Sequence, residues 1–137
     1  MMVNMLDELR EEIEKTEYWD AKAYDFCCNF FGDEVCIYYD NDDETVWRVS
    51  FQKCSNVEYV TDAAWESRNN EKIKNVRDMK KSQLGYYVQK IDINSSNRQV
   101  GYYDVFIDLS IMTANVTCKN IAVDVVPIKS NEFFRVD

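Results

Sequence analysis

The spacing of apolar side chains changes once near Ala23, where a helical repeat of about 3.6 residues gives way to a repeat of two. No other feature of the sequence constrains the fold as much. Ahead of the change, Leu6, Leu9 and Ile13 fall on one helical stripe, and Glu8, Glu11, Glu12 and Lys15 make up the opposite face. Asn4 is placed to cap, and Asp7 and Glu8 sit in the first turn, where exposed N–H groups favour carboxylates. The pattern predicts an amphipathic helix over 4–17, laid on an apolar surface.

Beyond Ala23, residues 24–31 are rich in strand-forming side chains, and Gly32-Asp33 supplies a turn. Val35, Ile37 and Tyr39 then share one strand face, and the run Asp40-Asn41-Asp42-Asp43-Glu44 reads as a hairpin loop. In the next strand Trp47, Val49 and Phe51 alternate with Val46, Arg48 and Ser50, and 56–61 is a further strand. Residues 23–61 are therefore expected to form a β-meander. Alternation disappears over 62–83, which reads as an irregular or helical insertion, and returns over 85–94, 100–109 and 114–126. Pro127, which cannot donate to a ladder, closes the last strand.

Strands in sequence joined by short loops pair antiparallel, and one helix cannot cover both faces of a parallel sheet. The expected fold class is α+β, mostly β: one domain over 1–137, built as an antiparallel β-sandwich or strongly curved sheet of six to eight strands with an N-terminal amphipathic helix.

Composition bears on function chiefly by exclusion. The chain has no histidine, which removes the usual neutral-pH general base, the commonest metal ligand and every nucleophile pair built on imidazole. Its three glycines, Gly32, Gly85 and Gly101, are too scattered to cradle a phosphate. The five cysteines are odd in number and lack the paired short spacing zinc prefers, so they read as reduced, buried thiols. No secretory leader pattern opens the sequence, so the expected location is cytoplasmic. No apolar run approaches the roughly 20 residues of a membrane span. A net charge of −9 opposes binding to nucleic acid or to an anionic membrane, both of which are held through neutralised phosphates. No cofactor is expected.

Four groups of residues remain as candidates. Asp40, Asp42, Asp43 and Glu44 form an acidic loop, but Thr45 and Phe51 stand where a calcium loop needs glycine and glutamate, so the loop is either a solvated tip or a contact for a basic partner. Asp104, Asp108 and Asp124 are carboxylates on strand patterns, and about 13 Å separates the first two along their strand, too far for an acid/base dyad. Residues 68–81 hold six cations against two anions, a net +4 that leaves −13 on the rest of the chain. The doublets Tyr38-Tyr39, Tyr86-Tyr87 and Tyr102-Tyr103 place up to three tyrosines outside the core, and Trp65 adds another aromatic anchor among charged neighbours.

The stretches from Gly32 to Tyr39, Val46 to Phe51 and Val57 to Tyr59 resemble small acidic bacterial immunity proteins of polymorphic toxin systems. The resemblance implies a stoichiometric inhibitor that blocks a basic toxin domain with acidic and aromatic residues. The expectation is a non-enzymatic binding protein with a protein partner, and Asp40, Asp42, Asp43, Glu44, Trp65, Tyr102 and Asp104 as contact residues. The alternatives are a β-domain with an apolar ligand pocket against the helix and a structural module that forms homo-oligomers through its tyrosines.

Overall fold

The computed structural model of the chain describes residues 5–63, 76–79, 84–129 and 133. Helix α1 (Met5–Glu14) leads into strands β1 (Ala21–Asn29), β2 (Glu34–Asp40), β3 (Thr45–Gln52) and β4 (Asn56–Thr61). After a short 3-10 turn at Val76–Asp78 come β5 (Tyr87–Val88), β6 (Lys90–Ser95), β7 (Tyr103–Asp108), β8 (Met112–Cys118) and β9 (Asn120–Pro127). One antiparallel sheet runs β5-β1-β2-β3-β9, and the second runs β4-β8-β7-β6. The two form a sandwich, as expected, with nine strands among the described residues rather than six to eight.

The two breaks behind the higher count share one cause. Residues 85–94 and 114–126, each expected to be one strand, are divided at Gln89 and Lys119. At each break the chain changes sheets: β5 pairs with β1 while β6 pairs with β7, and β8 pairs with β4 and β7 while β9 pairs with β3. Passing between facing sheets reverses which side of the strand is the core side. Val88 is buried at an even position and Ile91 and Ile93 at odd ones; Ala114, Val116 and Cys118 point inward ahead of Lys119, and Ile121 and Val123 after it. The meander is correspondingly shorter than expected. It stops at β3, whose other neighbour is β9, and β4 crosses to the second sheet beside β8.

The helix also ends earlier than 17. After Glu14 the amides of Thr16 and Glu17 bond to carbonyls three residues back, and Glu17 takes a left-handed φ of 50°, which closes the helix. The capping position assigned to Asn4 lies outside the described residues. Leu9 and Ile13 are buried between the sheets' core residues, and Arg10 reaches β6, donating from Nε to Ile93 O at 3.0 Å and from Nη2 to Asn94 Oδ1 at 2.9 Å. At the far end of the helix, Thr16 Oγ1 bonds both Ile13 O (2.6 Å) and Tyr39 Oη (2.8 Å), which ties α1 to β2.

Tyr39, Val49, Phe51 and Ile107 from the two sheets are fully enclosed in one core. The outer face of the first sheet is also covered in part: Cys36, Val46 and Ser50 are buried, and Phe133 packs on Tyr24 and Tyr38 with ring centroids 5.4 and 5.0 Å away. The turns gather at two ends of the sandwich. The β1–β2, β3–β4, β6–β7 and β8–β9 connections share one end, joined by Cys54 N to Asp33 O, Ser55 Oγ to Gln99 Oε1 and Lys119 N to Gln52 O. The β2–β3 connection and the end of β9 share the other, joined by Ile128 N to Glu44 O.

Candidate functional site

The acidic loop is a built hairpin tip. Asp42 Oδ1 accepts bonds from Glu44 N at 2.9 Å, Thr45 N at 2.8 Å and Thr45 Oγ1 at 2.7 Å. Asparagine and aspartate organise turns this way, by occupying amides that the ladder has left unpaired. The Thr45 hydroxyl and these two amides hold the Asp42 carboxyl below the ordinary carboxylate range, so it is ionised at neutral pH. Asp42 therefore serves the loop's own geometry. Asp43 and Glu44 are exposed beside it and take part in no ion pair among the described residues. Together with Asp40, Tyr24, Pro127 and Lys129 they line an open depression of about 740 Å³.

The other expected contact residues lie elsewhere. Tyr102 is half-buried in the β6–β7 connection, at the opposite end of the sandwich from the acidic tip. Asp104, on the outer face of the second sheet, accepts a 2.7 Å bond from Thr117 Oγ1, and Arg98 stands 3.8 Å from its carboxylate. Asp40, Asp42, Asp43 and Glu44 thus sit together on one loop, and Tyr102 and Asp104 lie apart from it. Trp65 lies outside the described residues, as does most of the basic stretch 68–81, of which only 76–79 are placed.

Asp104, Asp108 and Asp124 do not form a catalytic constellation. The first two are on β7, and Asp124 is on β9 in the other sheet, where it pairs with Arg48 at 3.3 Å. Among the described residues no three Cys, Asp or Glu side chains converge as metal ligands.

The cysteines are less uniformly buried than expected. Cys36 and Cys118 are buried, Cys27 and Cys54 half-buried and Cys28 exposed, because the pair Cys27-Cys28 sits on opposite faces of β1 close to its end. Burial, followed by the charge of Asp25, pushes the Cys27 thiol up to about 12. Burial likewise lifts Cys118 to about 12 and Cys54 to about 11. All three stay protonated and are poor nucleophiles.

An apolar groove of about 320 Å³ opens between β1 and β4, with Phe26, Tyr59, Leu84 and Met112 among its walls. Against the helix, where an apolar pocket was expected, there is a smaller depression of about 200 Å³ with Arg10, Glu14, Lys90 and Asp92 among its walls. Asp25 also lines the groove between β1 and β4, and burial raises its carboxyl above the ordinary range in spite of bonds from the Cys27 thiol (3.3 Å) and Phe26 N (2.8 Å).

The alternation pattern missed one pair of residues. Phe30 and Phe31, read as the end of a strand, are instead the β1–β2 turn, with φ of 53° and 57°, and both side chains are exposed. A left-handed conformation costs an L residue roughly 1–2 kcal/mol, so such positions usually carry Gly, Asn or Asp. The legible signal was two bulky apolar residues directly before Gly32-Asp33, with no following strand position to bury them.

The family model described as "Immunity protein PIM7" matches residues 5–125. No curated protein matches the chain. Among solved structures, the crystal structure of an uncharacterized protein from Neisseria gonorrhoeae is similar, with a TM-score of 0.51 and 9% identity over 78% of this chain and 92% of that one. At that identity the likeness concerns the fold alone.

Proposed function

The chain belongs to the PIM7 family of immunity proteins, and from that premise we propose that it captures a basic toxin domain without chemistry of its own, using the acidic β2–β3 tip as its electrostatic contact. The family makes it an immunity-type inhibitor with a toxin as partner. The observation that carries the finer reading is the division of labour within the tip: Asp42 is consumed in holding the loop, which leaves Asp43 and Glu44 exposed on a fixed support and in no ion pair among the described residues. Preset charge of this kind raises the rate of encounter with a positive surface more than it lengthens the life of the complex.

The test uses a candidate toxin domain sought among the neighbouring reading frames, with association followed by stopped-flow at low and high salt. Reversal at Asp42 would disorder the loop as well as change its charge, so the informative variant is Asp43→Lys with Glu44→Lys. Taking two charges from −2 to +2 against one toxin cation about 8 Å away corresponds to roughly a 30-fold loss of association rate at low ionic strength. Screening at 0.15 M salt cuts this to roughly 4-fold. An association rate equal to wild type at low salt would remove the acidic tip from the mechanism.

A further inference from the structure

The β1–β2 turn places Phe30, Phe31 and Gly32 consecutively at left-handed φ values of 53°, 57° and 94°, and only the third is a glycine. The turn is firmly held. Asp33 N bonds Phe30 O at 3.1 Å, and Cys54 N bonds Asp33 O at 3.0 Å. At Gly32 a Cβ would come within 3.8 Å of Cys28 Sγ and 3.9 Å of Val57, so the turn rests on β1 and β4. Neither usual reason for a phenylalanine applies here: the backbone disfavours one at both positions, and the side chains are 73% exposed at Phe30 and wholly exposed at Phe31. Strain of this kind persists at sites where a side chain must be displayed.

We infer that Phe30 and Phe31 are an apolar anchor that the toxin partner covers, in a recess whose rim carries cations facing Asp33 and Glu34. This rests on the immunity reading above. The carboxylates beside the turn supply the choice of occupant: Asp33 is exposed in the turn and Glu34 follows it, with Lys53 the nearby cation. Geometry lets one partner reach both contacts. The anchor and the acidic tip are at opposite ends of β2, whose seven residues span about 20 Å. A standard interface of about 800 Å² per side is roughly 30 Å across. The tip then governs arrival and the buried rings govern release, since aromatic anchors in desolvated pockets hold most of an interface's binding energy.

The test replaces the pair with the residues such a turn prefers, Phe30→Asn with Phe31→Gly. The fold should gain, with a melting midpoint a few degrees higher, while the complex with the same candidate toxin domain should dissociate at least tenfold faster and associate within about twofold of the wild-type rate. A turn with a purely structural role would not move stability and residence time in opposite directions. Phe31→Gln alone, which retains the turn's other residues, serves as a second variant and should also shorten the complex's life severalfold. If the wild-type chain binds the toxin and both variants dissociate at the wild-type rate, the anchor is refuted and the immunity reading stands. If the wild-type chain does not bind, both fall. Light scattering that shows a wild-type dimer made monomeric by the substitutions would also overturn the toxin as occupant.

Discussion

The bond between Tyr39 Oη and Thr16 Oγ1 gives the sharpest test of how the helix is attached to the sheet. Tyr39 is fully buried, and burial holds its phenol neutral well above its ordinary range. Thr16 is buried too and spends its proton on Ile13 O at 2.6 Å, so at 2.8 Å the tyrosine is the donor and the threonine the acceptor. Tyr39→Phe removes the donor and leaves an acceptor that is still engaged elsewhere; a typical net hydrogen bond of about 0.5–1.5 kcal/mol is lost. Thr16→Val does something worse at almost constant volume, because it strands a phenol hydroxyl in the core at a cost of about 1–3 kcal/mol. In the double variant no hydroxyl is left to strand. The threonine change, made in the phenylalanine background, should therefore cost less than about 1 kcal/mol, and the two effects should fall short of additivity. Urea unfolding with an unchanged slope would measure this, and for a chain of this length about 1 kcal/mol corresponds to roughly 3 °C in the midpoint. Strict additivity, or a Thr16→Val variant as stable as wild type, would show that the two hydroxyls do not share a buried bond.

Two further outcomes follow from titratable groups near β1. Burial raises the Asp25 pKa in the folded state above its unfolded value, so its contribution is fully favourable at low pH and is lost as pH rises through the folded pKa. Asp25→Asn should accordingly raise the midpoint at pH 7 and leave it unchanged near pH 3; equal shifts at both would contradict the assignment. Alkylation of the native protein at pH 8, followed by mass spectrometry, should modify the exposed Cys28 first, while Cys27 and Cys118, held near 12, react only on unfolding. Early labelling of Cys118 would mean the core is open there.

What the sequence determined by itself was local. Alternation located the strands, because successive side chains of an extended chain point to opposite faces whatever lies beyond them. Leu9 and Ile13 marked the buried helix stripe for a similar reason, and the amides around Asp42 made a tip of the acidic run. Which sheet each strand joins was not local. The phase slips at Gln89 and Lys119 are visible as changes in the parity of apolar positions, but only the facing sheet turns a slip into a crossing. β4 shows the same limit, since its own residues do not distinguish β3 from β8 as a neighbour. The candidate site divided along the same line. The acidic tip lies within one short loop and was legible. Its separation from Tyr102 and Asp104 depends on which turns share an end of the sandwich, and the display of Phe30 and Phe31 depends on a left-handed turn propped on Val57 from a distant strand. Pairing and exposure are relations between segments far apart in the chain, and the physics that fixes them acts only once those segments have met.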